Sequence, residues 1–323
     1  MITTTRDGVT VRCDDGTEVT VSPLGGLFGA NVTGVDLSQP LDASVVAALE
    51  QAFIAWHVLR FPDQELAPAD ELRVIEYFDD GVYSEPDVIA YQVPGYPQIQ
   101  IVSNIELDGR ALGYTNRRGM EWHSDLSGMP VMPKASMMYA LEVPESGGET
   151  YFANGHLAYE TLPEHQRDFL DRLDATYSWV TLQRWLAEAS GTWEAHAPAT
   201  AARHPDVVRP LVRVHPVTGR KSLFFSIEEI TTLTGLDGSE TRALLEELVD
   251  HMTSTPNVVY RHDWTVGDVL VWDNRCLMHS VCEYNYEGQR RLMHQLNGAD
   301  ARSAEQTIAV IPVGGRHEGA MTS

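Results

Sequence analysis

The chain has 323 residues, 43% of them hydrophobic and 21% charged, which fits a folded globular protein of one or two domains and excludes a disordered one. Its formal charge is −23, from 46 acids against 23 bases, and Lys134 and Lys221 are its only lysines. Such an acidic surface repels nucleic acid and anionic lipid, and no Lys/Arg run exceeds a pair, so neither is expected as a partner.

The amino terminus lacks a basic region followed by an apolar core, and no run of about 18 apolar residues occurs, so a cytoplasmic location without a membrane contact is expected. Cys13, Cys276 and Cys282 are odd in number and form no CxxC, which predicts free thiols. Gly8 to Val21 alternates apolar and polar residues around Asp14-Asp15-Gly16 and predicts a hairpin within residues 1–21.

From Asp42 to His57, Val46, Leu49, Ala52, Phe53 and Trp56 recur at helical spacing behind a cap at Asp42 or Ser44. A short strand, Val58 to Phe61, follows, and Pro68 to Asp79 reads as a second helix. Between about Val82 and Val143 lie β-branched and aromatic runs such as Ile99 to Val102 and Ala135 to Tyr139, broken by Gly, Pro and Asn. His156 to Leu173 and Ser239 to Met252 carry helical spacing, and Val258 to Tyr260 and Val269 to Trp272 read as strands. With no repeat or long linker, one domain over 1–323 is expected, mainly β with helical insertions, and with 300–323 as a peripheral or frayed tail.

His123 and Asp125 sit two apart in a stretch that reads as extended, where period two puts both side chains on one face. His279 offers a third donor after the strand ending at Trp272. Two imidazoles and a carboxylate on one side of iron(II) leave three positions open, as O2 chemistry with a bidentate co-substrate requires. Zinc or manganese accepts the same donors, so a metal-dependent hydrolase is the rival reading, and a non-catalytic sensor the more distant one. Gly147-Gly148-Glu149-Thr150 supplies a tight turn ending in a hydroxyl, and Arg290-Arg291 supplies a guanidinium that can fork onto a dicarboxylate such as 2-oxoglutarate. By alternation along a strand, one arginine of the pair faces inward and its neighbour away. The other ten histidines, among them His57, His156 and His215, are expected in structural or surface roles.

From about Ser22 to Asn297 the sequence resembles the TauD/TfdA family of taurine and aryloxyalkanoate dioxygenases. The resemblance rests on Trp122-His123-Ser124-Asp125, Gly147 to Thr150, His215-Pro216-Val217-Thr218-Gly219, Trp272-Asp273-Asn274-Arg275 with His279, and Arg290 to His294. It implies a double-stranded β-helix, or jelly roll, with His123, Asp125 and His279 on iron(II), Thr150 and Arg291 on 2-oxoglutarate, and succinate and CO2 as co-products.

Hydroxylation of a C–H bond is the default outcome that the resemblance implies. Desaturation, cyclisation or epoxidation would use the same ligands, and the presence of Asp125 disfavours halogenation. Gln295 stands where the taurine enzymes carry a sulfonate-binding arginine, so an amino-acid-like or carboxylate-bearing small molecule other than taurine is expected, free or tethered to a carrier protein. Tyr83 and Asp80 match substrate-contacting positions, and Asn116, Arg117 and Arg118 fall where a lid over the substrate is expected. Self-association into a homo-oligomer is compatible with this reading.

Overall fold

The computed structural model describes residues 8–84, 91–114, 119–190, 202–281, 288–300 and 309–311. A nine-stranded major sheet runs in the spatial order Val9–Arg12, Glu18–Pro23, Ala30–Thr33, Val58–Phe61, Val269–Asp273, Ala135–Glu142, Leu292–Asn297, Tyr96–Ser103, Gln92–Val93. Its pairings are antiparallel except that of Ala30–Thr33 with Val58–Phe61. A four-stranded minor sheet, ordered Val259–His262, Thr150–Asn154, Leu277–Val281, Met120–His123, faces it and completes the jelly-roll core.

The central strands of the major sheet are buried on both faces, which is why they read as unbroken apolar runs. Met137, Tyr139, Val269 and Val271 point outward onto the helices Ala43–Trp56 and Pro68–Glu76, where Leu49, Phe53 and Ile75 close one core. Their neighbours Met138, Ala140, Leu270 and Trp272 point inward to meet Phe152 and Leu277 of the minor sheet. The far face of the minor sheet, with Trp122, Ala153 and Met278, packs on a third core under the helix Gly238–Ser254 and the sheet Ile230–Leu233, Asp174–Tyr177, Asp206–Pro210, Ala309–Ile311.

Parity along the minor-sheet strands therefore decides what enters the space between the sheets. Trp122, Ala153 and Met278 face the third core, so His123, Thr150, Phe152 and His279 face the major sheet.

Several expectations need correction. The predicted helix Pro68–Asp79 stops at Glu76, and the Asp79 carboxylate accepts the backbone N–H groups of Lys134 and Ala135 at 2.6 and 2.8 Å. His156–Leu173 is two helices, Gly155–Glu160 and Glu164–Leu170, because Pro163 cannot donate to the turn before it and disfavours helical geometry at Leu162. Within the segment expected as a peripheral or frayed tail, Ala309–Ile311 pairs antiparallel with Asp206–Pro210 as the edge strand of its sheet. The helix Trp179–Ser190 was not expected at all. The opening hairpin, with Gly16 in its turn at φ 89°, and the Asp42 cap are as the sequence predicts.

Candidate active site

His123 ends the edge strand of the minor sheet and His279 is its Cα partner on the next strand, with ring centroids 4.1 Å apart. His123 Nδ1 lies 2.7 Å from the Glu121 carbonyl, which can only accept, so Nδ1 carries the proton and Nε2 keeps a lone pair. His279 is stacked along Phe152 at 5.9 Å and edge-on to Trp272 at 5.1 Å, which fixes its ring plane. Burial, and then His123 beside it, holds the His279 imidazole well below its ordinary pKa, in the neutral form that ligates metals.

Asp125 corrects the strand-alternation argument, because the strand ends at His123 and Asp125 sits in the turn that follows, with Leu126 at φ 53°. Asn274 holds that turn from both sides: its Oδ1 accepts the Asp125 N–H at 2.8 Å and its Nδ2 donates to the Asp125 carbonyl at 2.9 Å. The Asp125 carboxylate then reaches back so that Oδ1 is 3.9 Å from His123 Nε2 and 3.8 Å from His279 Nε2. One donor atom from each of the three residues fits within 4.8 Å of the other two. Burial raises the Asp125 carboxyl above its usual range, opposed by His123, Ser136 and Gln295.

A cation fits these residues. Asp125 Oδ2 is buried with no hydrogen-bond partner, an arrangement that otherwise costs roughly 1–3 kcal/mol, and it belongs to an acceptor-only group beside two imidazole lone pairs. The cavity over this cluster has a volume of about 180 Å3.

Thr150 and Arg291 also line the cavity. Gly147 and Gly148, at φ 79° and 74°, make the turn before Thr150, and a Cβ on Gly148 would stand 3.3 Å from Pro144 Cγ and 3.5 Å from Arg291 Nε. Thr150 Oγ1 accepts from Trp264 Nε1 at 3.0 Å and so retains its own hydrogen to donate. Arg291 is buried, its backbone tied to Asn104 and Ser103, whereas Arg290 is exposed and forks onto Glu142 at 2.6 and 2.9 Å.

Across residues 20–296 the chain matches the family model described as taurine catabolism dioxygenase TauD, TfdA family. The chain belongs to the TauD/TfdA family. It is 32% identical over 288 residues to the (S)-phenoxypropionate/alpha-ketoglutarate-dioxygenase of Delftia acidovorans, covering 86% of this chain and 94% of that one. It is 33% identical over 292 residues to the alpha-ketoglutarate-dependent 2,4-dichlorophenoxyacetate dioxygenase of Cupriavidus pinatubonensis, covering 88% and 99%. The solved structure of AAD-2 in complex with Mn(II) and N-oxalylglycine superimposes with a TM-score of 0.68 at 27% identity, covering 88% of this chain and 98% of that one. The protein is thus an Fe(II)-dependent dioxygenase with 2-oxoglutarate (alpha-ketoglutarate) and O2 as co-substrates.

Among the residues expected at the substrate of this dioxygenase, Gln295 lines the cavity, donating to Asp125 Oδ1 at 3.2 Å and accepting from the Tyr114 hydroxyl at 2.7 Å. Tyr83 and Asp80 are not among the lining residues. The helix before them ends early, Asp79 turns inward in place of Asp80, which is exposed, and Tyr83 donates its backbone N–H to Asn297. Asn116, Arg117 and Arg118 lie outside the described residues, as do Cys282, His196 and His317.

Other lining residues escaped the sequence reading. The helix Trp179–Ser190 turns Trp179, Leu182, Gln183 and Leu186 to the cavity, a spacing of three, four and seven that was legible as amphipathic. Glu229 also lines it, buried, with Ser127 donating to its Oε2 at 2.6 Å. Burial pushes its carboxyl up to about 7, helped by the charge of Asp125 and opposed by Ser127, the Gly128 N–H and Arg209. No sequence motif flagged it.

Proposed function

We propose that His123, Asp125 and His279 bind the iron of this dioxygenase, through the two Nε2 atoms and an Asp125 oxygen, and that Thr150 and Arg291 hold the distal carboxylate of 2-oxoglutarate. The mutual approach of the three donors within 4.8 Å, beside an orphaned carboxylate oxygen, carries the reading. Iron supplies O2 activation coupled to decarboxylation of 2-oxoglutarate to succinate and CO2. Arg291 offers a planar fork and Thr150 a single donor, which together set the co-substrate's orientation. Gln295 restrains the Asp125 oxygen nearest both imidazoles, and Phe152 with Trp272 holds the His279 ring. Leu126, Met129, Leu182 and Leu186 exclude water and press an apolar substrate into one pose, so that a single C–H bond is presented for hydroxylation.

The substrate is a small organic molecule with an apolar body and an amino-acid-like polar end. Arg291 is the only guanidinium or ammonium among the described lining residues, and Glu229, Gln183 and Asn297 supply groups that suit an amine, hydroxyl or carbonyl. Taurine, with a sulfonate to neutralise, is a poor fit at Gln295. Cytoplasmic residence suits the free, buried thiols Cys13 and Cys276.

The test is an anaerobic titration of iron(II) and 2-oxoglutarate into metal-free protein, following the visible charge-transfer absorption of the chelate. Arg291→Ala is expected to weaken co-substrate binding, and Asp125→Ala metal binding. Unchanged metal and co-substrate binding in both variants would refute this assignment of the residues.

A further inference from the structure

Behind the catalytic site, the turn Asp273 to Cys276 joins the two strands that bury Trp272 and carry His279. Its inner side meets a second polar cluster that the oxygenase reaction does not use: His57, His156, His215, Asp273 and Cys276, all buried. His215 is committed. Its Nδ1 accepts the N–H groups of Val217 and Thr218, so its Nε2 carries the proton donated to Asp273 Oδ2 at 3.0 Å.

His156 is not committed in that way. Its Nδ1 donates to the Lys221 carbonyl at 2.8 Å, which leaves a lone pair on Nε2, and that atom is buried with no hydrogen-bond partner. His57 occupies the αL position after its helix at φ 63°, a conformation that favours glycine, and presents Nδ1 3.5 Å from Cys276 Sγ. Two ligands of one tetrahedral zinc, with Zn–S near 2.3 Å and Zn–N near 2.0–2.1 Å, stand about 3.6 Å apart. The His57 and His156 rings are 5.4 Å apart and tilted by 56°, converging rather than stacked.

We propose that His57 Nδ1, His156 Nε2 and Cys276 Sγ form a second, structural metal site for a thiophilic ion of the zinc class, separate from the catalytic iron. One donor atom from each of the three residues lies within 4.8 Å of the other two, and Asp273 Oδ2, already paired with Arg275 and His215, stands 4.0 Å from His57 Nδ1. Two imidazoles with a thiolate select zinc or copper(I) over iron(II), and zinc's indifference to geometry suits an incomplete tetrahedron. Binding replaces the thiol proton, so Zn2+ enters as one H+ leaves, with no change of oxidation state. The site would tie the helix ending at Trp56, the helix beginning at Gly155 and the Asp273–Cys276 turn together. That turn includes Asn274, which clamps Asp125.

Cobalt(II) tests this, because a thiolate-to-cobalt charge-transfer band reports sulfur ligation and the iron site contains no sulfur. Co2+ is added to the metal-free full-length protein, both folded and refolded in its presence. The expected result is one equivalent of cobalt giving that band, displaced by Zn2+, lost in Cys276→Ser, shifted or weakened in His156→Gln, and retained in Cys13→Ser. Absence of the band under both loading conditions, or its persistence in Cys276→Ser, overturns the proposal. If Cys276→Ser does not fold, an unchanged band in His156→Gln does the same.

Discussion

His123 and His279 are direct partners across an antiparallel strand pair, and their rings meet at 4.1 Å because both point between the sheets. Their separation is set by β-sheet register, while Asp125 is set by a turn. Losing the carboxylate should therefore leave the imidazole pair in place. Asp125→Ala is expected to keep the fold by circular dichroism yet bind iron(II) more than about 100-fold weaker, since one of the three proposed ligands, and the only anionic one, is gone.

Asn274 holds both backbone groups of Asp125, a proposed iron ligand, without bonding to its carboxylate. Asn274→Ala should lower iron affinity or turnover by about 10- to 100-fold, the usual effect of removing a group that orients a ligand. Equal iron affinity and activity in the variant would show that the turn keeps its shape unaided.

Arg290 and Arg291 differ by one position and should differ sharply in consequence. Arg290→Ala breaks an exposed, solvent-screened pair with Glu142 and should leave the KM for 2-oxoglutarate unchanged. Arg291→Lys replaces a buried fork with a point charge and should raise that KM at least about tenfold. Steady-state kinetics on the two variants check both statements.

Glu229 makes stability depend on pH. Its carboxyl titrates near 7 in the fold against an ordinary 4.5, so between those values the folded chain binds more protons than the unfolded one. Stability contributed by the neutral acid is present below about 4.5 and lost as pH rises through about 7, an effect of roughly 3 kcal/mol. Asp125 and Arg209 face the same carboxyl with opposite signs. Thermal unfolding at pH 5 and pH 8 should show a smaller loss for Glu229→Gln than for the parent protein, and identical pH profiles would refute this assignment.

The sequence was most legible where local pattern and chemistry coincide. The run Val269 to Trp272 reads as a strand buried on both faces, and the spaced motifs from Trp122 to Arg291 imply the reaction class. It was least legible where tertiary contacts choose. Nothing local says that Asp79 turns inward to take the backbone of Lys134 and Ala135, which shifts Asp80 to solvent. Period-two alternation does not position Asp125, because a turn held by Asn274 replaces strand geometry there. Trp179 to Leu186 carried helical spacing, but its polar neighbours Thr181 and Arg184 obscured a face that only the cavity makes functional. Glu229 has no motif because its role comes from burial and from Ser127, 102 positions away in the chain.

The strand Leu277–Val281 lies between the strand that starts with Thr150 and the strand that ends with His123. A chain still being synthesised, or one truncated before this strand, therefore holds at most two of the three proposed iron donors and lacks Arg291 as well. Iron and 2-oxoglutarate would be acquired late, after the longest-range pairings have closed, and neither could guide the early steps of folding.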